Sequence, residues 1–201
     1  MNIEQLERAC GFPLGDRLAL ARLLVERHRE RSASIAVAES LTGGALASAI
    51  VDVPGASVVF RGGAVTYATE TKVSVLGVSE ERLALTGPVD GVVAEQMAAG
   101  AARLFRAEFG IATTGVAGPG PNDGFPAGTV WIGVWPSCRF NFNLSPTLAN
   151  GKILVKNESG SGIEAISAVR MQLTGSRSEI RDQAVRSALG IAIACVECTP
   201  E

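Results

Sequence analysis

From Arg17 to Arg31 the chain sets Leu18, Leu20, Ala21, Leu23, Leu24 and Val25 against a cluster of charges, the pattern of an amphipathic helix covering a sheet face. Ser34 to Ala38 then reads as a short apolar strand. It runs into Glu39-Ser40-Leu41-Thr42-Gly43-Gly44 and an alanine-rich helical run from Ala45 to Ile50, so strand, tight polar turn and helix follow one another. Val58 to Thr66 repeats the strand signal around the Gly62-Gly63 pair and leads to Tyr67, after which Thr69 to Leu76 predicts a short helix. Two consecutive strand-to-helix junctions therefore carry polar residues.

Asp90 to Phe109 carries the clearest helical pattern, with Val93, Met97, Ala101, Leu104 and Phe105 at helical spacing, Asp90 as N-cap and Gly110 as the stop. Ile111 to Gly115 predicts a buried strand, Val116 to Gly128 a long Gly/Pro-rich loop, and Thr129 to Trp135 another strand. Arg139 to Leu144 and Ile153 to Lys156 flank a Pro-Thr-Leu-Ala-Asn-Gly turn, which predicts a hairpin. Ala165 to Leu173 alternates like a strand, and Ser178 to Ala194 predicts a closing helix. No internal repeat or low-complexity tract is present. Helices alternating with short strands predict an α/β fold, a three-layer α/β/α sandwich whose mixed sheet takes its antiparallel part from the later strands.

Composition narrows the function more than the fold. The chain has 201 residues, 47% of them hydrophobic and 19% charged, enough for one core and a single domain over residues 1–201. A net charge of -2 comes from interspersed charges, which argues against nucleic acid or an anionic membrane as partner. The amino terminus lacks the apolar core of a signal peptide, and no long uncharged stretch is free of Gly or Pro, so a cytoplasmic location is expected. Four cysteines, Cys10, Cys138, Cys195 and Cys198, predict reduced thiols. Cys195 and Cys198 form a C-x-x-C, but no second Cys or His pair completes a zinc site, and two inert tail thiols are the better reading.

His28 is the only histidine, and between Arg27 and Arg29 it reads as a solvated surface residue. A Ser-His-Asp relay and a two-His metal site are then improbable, and a hydrolase here needs another base. A desolvated lysine can be that base, taking a proton from a serine, with a tyrosine as relay. Ser40 follows a buried strand and precedes a helix whose first amides, from Thr42 and Gly43 onward, are available to an oxyanion; a simple helix cap is the competing reading. Tyr67, the only tyrosine, follows a strand, and Lys72 lies five residues on; strand-end packing and a solvated helix face are their ordinary alternatives. The loop Thr113-Thr114-Gly115-Val116-Ala117-Gly118-Pro119-Gly120 offers hydroxyls and amides suited to a phosphate, yet matches neither a P-loop nor a dinucleotide fingerprint, and an ordinary connection also fits it.

Taken together, Ala38-Glu39-Ser40-Leu41-Thr42-Gly43-Gly44, Gly63-Ala64-Val65-Thr66-Tyr67 with Lys72 and Leu76-Gly77-Val78, Thr114-Gly115-Val116-Ala117-Gly118-Pro119, and Gly128-Thr129-Val130-Trp131 resemble the carboxy-terminal domain of the competence/damage-inducible protein CinA. The resemblance spans residues 15–136, and Gly175-Ser176-Arg177 through Ile180-Arg181 looks like the family's closing segment. It implies a nicotinamide-nucleotide amidase that turns nicotinamide mononucleotide and water into nicotinate mononucleotide and ammonia. By motif match the catalytic group is Ser40, Tyr67 and Lys72, with Thr42, Gly43, Gly44, Thr114, Gly115, Ala117 and Gly118 at the substrate. No metal or organic cofactor is implied, relatives commonly self-associate as homo-oligomers, and the chain resembles the stand-alone form. Arg61, Arg177 and Arg181 are the candidates for the phosphate. Two departures stand out: Gly87-Pro88-Val89-Asp90 replaces the family's Gly-Ala-Val-Ser, and the stretch from Asn143 to Asn157 is longer than the usual connection. The rival readings are a non-catalytic nucleotide-binding or protein-interaction module and an amidase for another small carboxamide.

Overall fold

The computed structural model describes residues 1–140, 155–156 and 164–198. Six strands form one mixed sheet: β1 (Ile35–Glu39), β2 (Phe60–Val65), β3 (Phe109–Gly115), β4 (Thr129–Phe140), β5 (Val155–Lys156) and β6 (Glu164–Gln172), in the spatial order β2-β1-β3-β4-β6-β5. β1 runs parallel to both β2 and β3, while β4 is antiparallel to β3 and β6. The helices are α1 (Ile3–Cys10), α2 (Arg17–Glu30), α3 (Ala45–Val51), α4 (Thr69–Leu76), α5 (Glu80–Thr86), α6 (Gly91–Phe105) and α7 (Arg177–Cys198).

Strand alternation sorts these helices onto two faces. Ile35, Val37 and Ile111 point into one core with residues of α1, α2, α3 and α7, whereas Ala36, Ala38 and Ala112 face residues of α4, α5 and α6. The result is the three-layer α/β/α sandwich that the sequence predicts. The second face is built from small residues, so α6 lies directly on the strands. A Cβ placed at Gly110 would run into the carbonyl oxygen of Ala98, and one at Gly133 into that of Ala94. Asp90 caps α6 as predicted, accepting from the amides of Val92 and Val93, and is itself held by Arg82 at 2.7 Å.

Several elements differ from the sequence reading. α6 stops at Phe105, because Arg106 turns into the left-handed region and Phe109 already pairs with Ile35. The hairpin expected around residues 145–152 would pair its two flanks. Among the described residues, Arg139 and Phe140 of β4 pair instead with Ala165 and Glu164 of β6, and β5 lines up on the far side of β6. The turn itself, residues 141–154, lies outside the described residues. The sequence reading also passed over α1, opened by a capping box between Asn2 and Gln5, and α5, capped by Ser79.

His28 is not a surface residue. It is 0% exposed, continuing the buried stripe of Leu20, Ala21, Leu24 and Val25; its Nδ1 donates to the Ala33 carbonyl at 3.2 Å and its ring meets Phe109 edge-on. Burial pushes its pKa down to about 4. Cys195 is disulfide-bonded, against the expectation of reduced thiols; that expectation rested on a domain of this size needing no staple, which says nothing about proximity. No helix among the described residues is long and apolar enough to cross a membrane.

Candidate active site

The carboxyl ends of the three parallel strands open on one side of the sheet, the usual place for a ligand in an open α/β sheet. β1 delivers Ser40, β2 delivers Thr66 and Tyr67, and β3 delivers the loop beginning at Val116. A cavity of about 450 Å³ lies between them, with Ser40, Tyr67, Lys72, Gly115, Asp123 and Arg177 in its wall.

Glu39, the residue before Ser40, is 0% exposed. Its carboxylate accepts from the amides of Gly44 at 3.0 Å, Leu46 at 3.0 Å and Ala47 at 2.8 Å. It therefore does the capping of α3 that a serine or threonine was expected to do, and Gly44 at the cap position contributes no side chain. Ser40 is released from that task. The turn is also held from α7, where Arg181 donates to the carbonyls of Leu41 at 3.0 Å and Thr42 at 2.7 Å.

These contacts decide which of the predicted substrate residues face the cavity. The Thr42 side chain, Gly43 and Gly44 do not line the cavity: Thr42 Oγ1 bonds Thr113 Oγ1 at 2.7 Å, the Gly43 amide donates to the Ser40 carbonyl at 3.1 Å, and the Gly44 amide is spent on Glu39. The amides of Leu41 and Thr42 have no protein acceptor among the described residues, so any oxyanion site at this turn starts one residue earlier than expected. Thr114, Gly115, Ala117 and Gly118 do line the cavity. The Thr114 hydroxyl is engaged with the Pro88 carbonyl at 2.7 Å, and the Ala117 and Gly118 amides have no protein acceptor among the described residues.

Lys72 is 1% exposed, on the inner side of α4. Its Nζ donates to the Thr66 carbonyl at 2.6 Å and to Ser40 Oγ at 3.3 Å. Burial lowers its pKa to about 8, against a smaller pull upward from Asp123 and Glu70. Tyr67, by contrast, is 62% exposed, and its hydroxyl accepts from Arg177 at 3.1 Å. Lys72 reaches Ser40 directly, and Tyr67 does not stand between them. Arg177 also donates to the Gly118 carbonyl at 2.7 Å, tying the start of α7 to the loop and to Tyr67 across the cavity mouth.

The family model for the CinA C-terminal domain matches residues 17–144. The chain belongs to the CinA family. A CinA-like protein of Frankia casuarinae is 56% identical over 105 residues, 52% of this chain and 24% of the relative. A competence-damage inducible protein of Limosilactobacillus reuteri is 49% identical over 123 residues, 61% of this chain and 30% of the relative. The chain thus spans under a third of the length of these curated relatives. Among solved structures, a CinA superfamily protein from Klebsiella pneumoniae superimposes with a TM-score of 0.73 at 29% identity, covering 91% of this chain and 99% of that one. The competence/damage inducible protein CihA from Agrobacterium tumefaciens gives a TM-score of 0.72 at 32% identity, covering 90% and 96%.

In this CinA domain the three candidate arginines part company. Arg177 lines the cavity, Arg181 clamps the turn behind Ser40, and Arg61 contributes nothing to the cavity wall. Sequence reasoning missed Glu39 and Asp123. Glu39 was legible as a carboxylate next to the candidate nucleophile on an otherwise apolar strand, and Asp123 as half of an Asp-Gly turn inside the long loop. Among the described residues no three His, Cys, Asp or Glu side chains come together to hold a metal ion.

Proposed function

We propose that this CinA domain is an amidohydrolase that converts nicotinamide mononucleotide and water into nicotinate mononucleotide and ammonia. The observation that carries the reading is the buried Lys72 amine, its pKa near 8, at 3.3 Å from the Ser40 hydroxyl on the cavity wall. A neutral amine there is a base with its lone pair beside the proton it must take.

In this reading neutral Lys72 accepts the Ser40 proton as Oγ attacks the carboxamide carbon, and the oxyanion is met by the amides of Leu41 and Thr42. The tetrahedral adduct collapses, the C–N bond breaks, and the departing nitrogen takes the proton from Lys72 and leaves as ammonia. A water then gives one proton to Lys72 and attacks the acyl ester; the C–O bond breaks, Ser40 recovers that proton from Lys72, and the carboxylic acid formed loses water's second proton to solvent and leaves as the carboxylate. Tyr67, its hydroxyl held by Arg177 at the cavity mouth, hydrogen-bonds the leaving amide. Arg177 with the amides of Ala117 and Gly118 holds the phosphate. The chemistry uses no metal and no organic cofactor.

Ammonia release from nicotinamide mononucleotide by the purified chain in chelator-treated buffer tests the reading. Activity that is lost in both Ser40→Ala and Lys72→Met supports it. Nucleotide binding without ammonia release would make the domain a binding module instead.

A further inference from the structure

Among the described residues lining the cavity, Asp123 is the only acid, and it shares the lining with two cationic side chains, Lys72 and Arg177. Its position is set by the backbone. The amide and carbonyl of Asn122 both pair with Phe125, and Asp123 and Gly124 between them have φ of 51° and 77°. That is the two-residue hairpin for which Asp-Gly is a preferred sequence. Asn122 Nδ2 donates to Asp123 Oδ2 at 2.8 Å, which steadies the carboxylate. Its charge is felt at the cavity floor, where it acts on Lys72.

The carboxylate has no task in the proposed reaction as written so far: the scissile amide belongs to Ser40 and Lys72, and the phosphate to Arg177. The remaining part of the substrate is the N-ribosylated pyridine ring, which carries a fixed positive charge between those two ends. We propose that Asp123 is a specificity-determining residue that recognises this cationic ring and selects charged pyridinium nucleotides over neutral carboxamides of the same shape. The inference rests on the proposed amidase reading and adds a third recognition point to it. Exposed carboxylates interact weakly with cations in water, but a bound nucleotide excludes water from between the two charges and strengthens the attraction.

The test compares nicotinamide mononucleotide with its carbon-linked benzamide isostere, a nucleotide of the same shape and phosphate but with an uncharged ring. Binding of both to the Ser40→Ala chain, with and without Asp123→Asn, is read by calorimetry. Asp123→Asn is expected to weaken the pyridinium nucleotide about tenfold and to leave the benzamide nucleotide unchanged, with Asp123→Glu restoring part of the loss. Equal effects on both ligands, or none on either, would overturn the inference, as would failure of both to bind. Ammonia release by the wild-type chain is scored separately, so an inactive enzyme that still prefers the charged ring refutes the amidase reading while retaining the ring selectivity.

Discussion

Lys72 Nζ stands 3.3 Å from Ser40 Oγ and 2.6 Å from the Thr66 carbonyl, with no carboxylate among its hydrogen-bond partners. The amine is thus placed to exchange a proton with the serine, and its burial makes the neutral form accessible near pH 8.

The first consequence is a pH profile. kcat/KM should rise through about pH 8 as Lys72 loses its proton, and Lys72→Arg, which keeps the charge at every working pH, should be inactive. Lys72→Met should cost on the order of 10²-fold or more in kcat. The same variant should gain stability at pH 7. The folded pKa lies below the unfolded one, so the unfolded chain holds the proton more tightly; below about pH 8 the buried ammonium is a constant penalty, relieved as pH rises from about 8 towards 10.5. Urea unfolding should show Lys72→Met more stable by roughly 1–3 kcal/mol.

Glu39 is expected to be essential to the turn without touching substrate. Glu39→Ala leaves three amides at the start of α3 without their acceptor and should cost about 3 kcal/mol or more; Glu39→Gln, which keeps one acceptor oxygen, should cost less. Urea unfolding orders the two.

His28 supplies an acid limb. Its pKa falls from 6.5 to about 4 on folding, so between those values the unfolded chain binds more protons and stability drops as pH falls. The full loss is on the order of 3 kcal/mol, and His28→Phe should flatten that part of a stability-against-pH curve whatever it does at pH 7.

The close seat of α6 gives a packing test. Gly133→Ala drives a methyl into the Ala94 carbonyl and should destabilise by about 2 kcal/mol or more, whereas Gly15→Ala meets nothing within 4 Å and should be neutral within about 0.5 kcal/mol. Chemical denaturation of both variants separates the outcomes.

These cases show where the sequence was readable. The strands bearing Ser40 and Tyr67 and the helix from Thr69 to Leu76 follow from local periodicity and caps, and the structure has them within a few residues. What failed depended on long-range placement. The charged neighbours of His28 hid its place in the apolar stripe, and the pairing of residues 139–140 is decided by β6, 24 positions or more away in sequence. The site divides in the same way. Ser40 was legible as a serine at a strand end and Lys72 as a lysine on the helix after Tyr67, but that Glu39 takes over the capping, freeing Ser40 and withdrawing Gly43 and Gly44 from the cavity, needs the three-dimensional turn. Arg177 and Arg181, four residues apart on α7, were indistinguishable in sequence and do different things in the fold.

The most direct test of the central claim is covalent labelling of Ser40 by a fluorophosphonate probe, followed by peptide mass spectrometry between pH 6 and 10. The account predicts a single modified serine, Ser40, at a rate that is half-maximal near pH 8 and collapses in Lys72→Met. Labelling that ignores Lys72, or a Ser40 that stays unmodified while the folded chain remains intact, would contradict it.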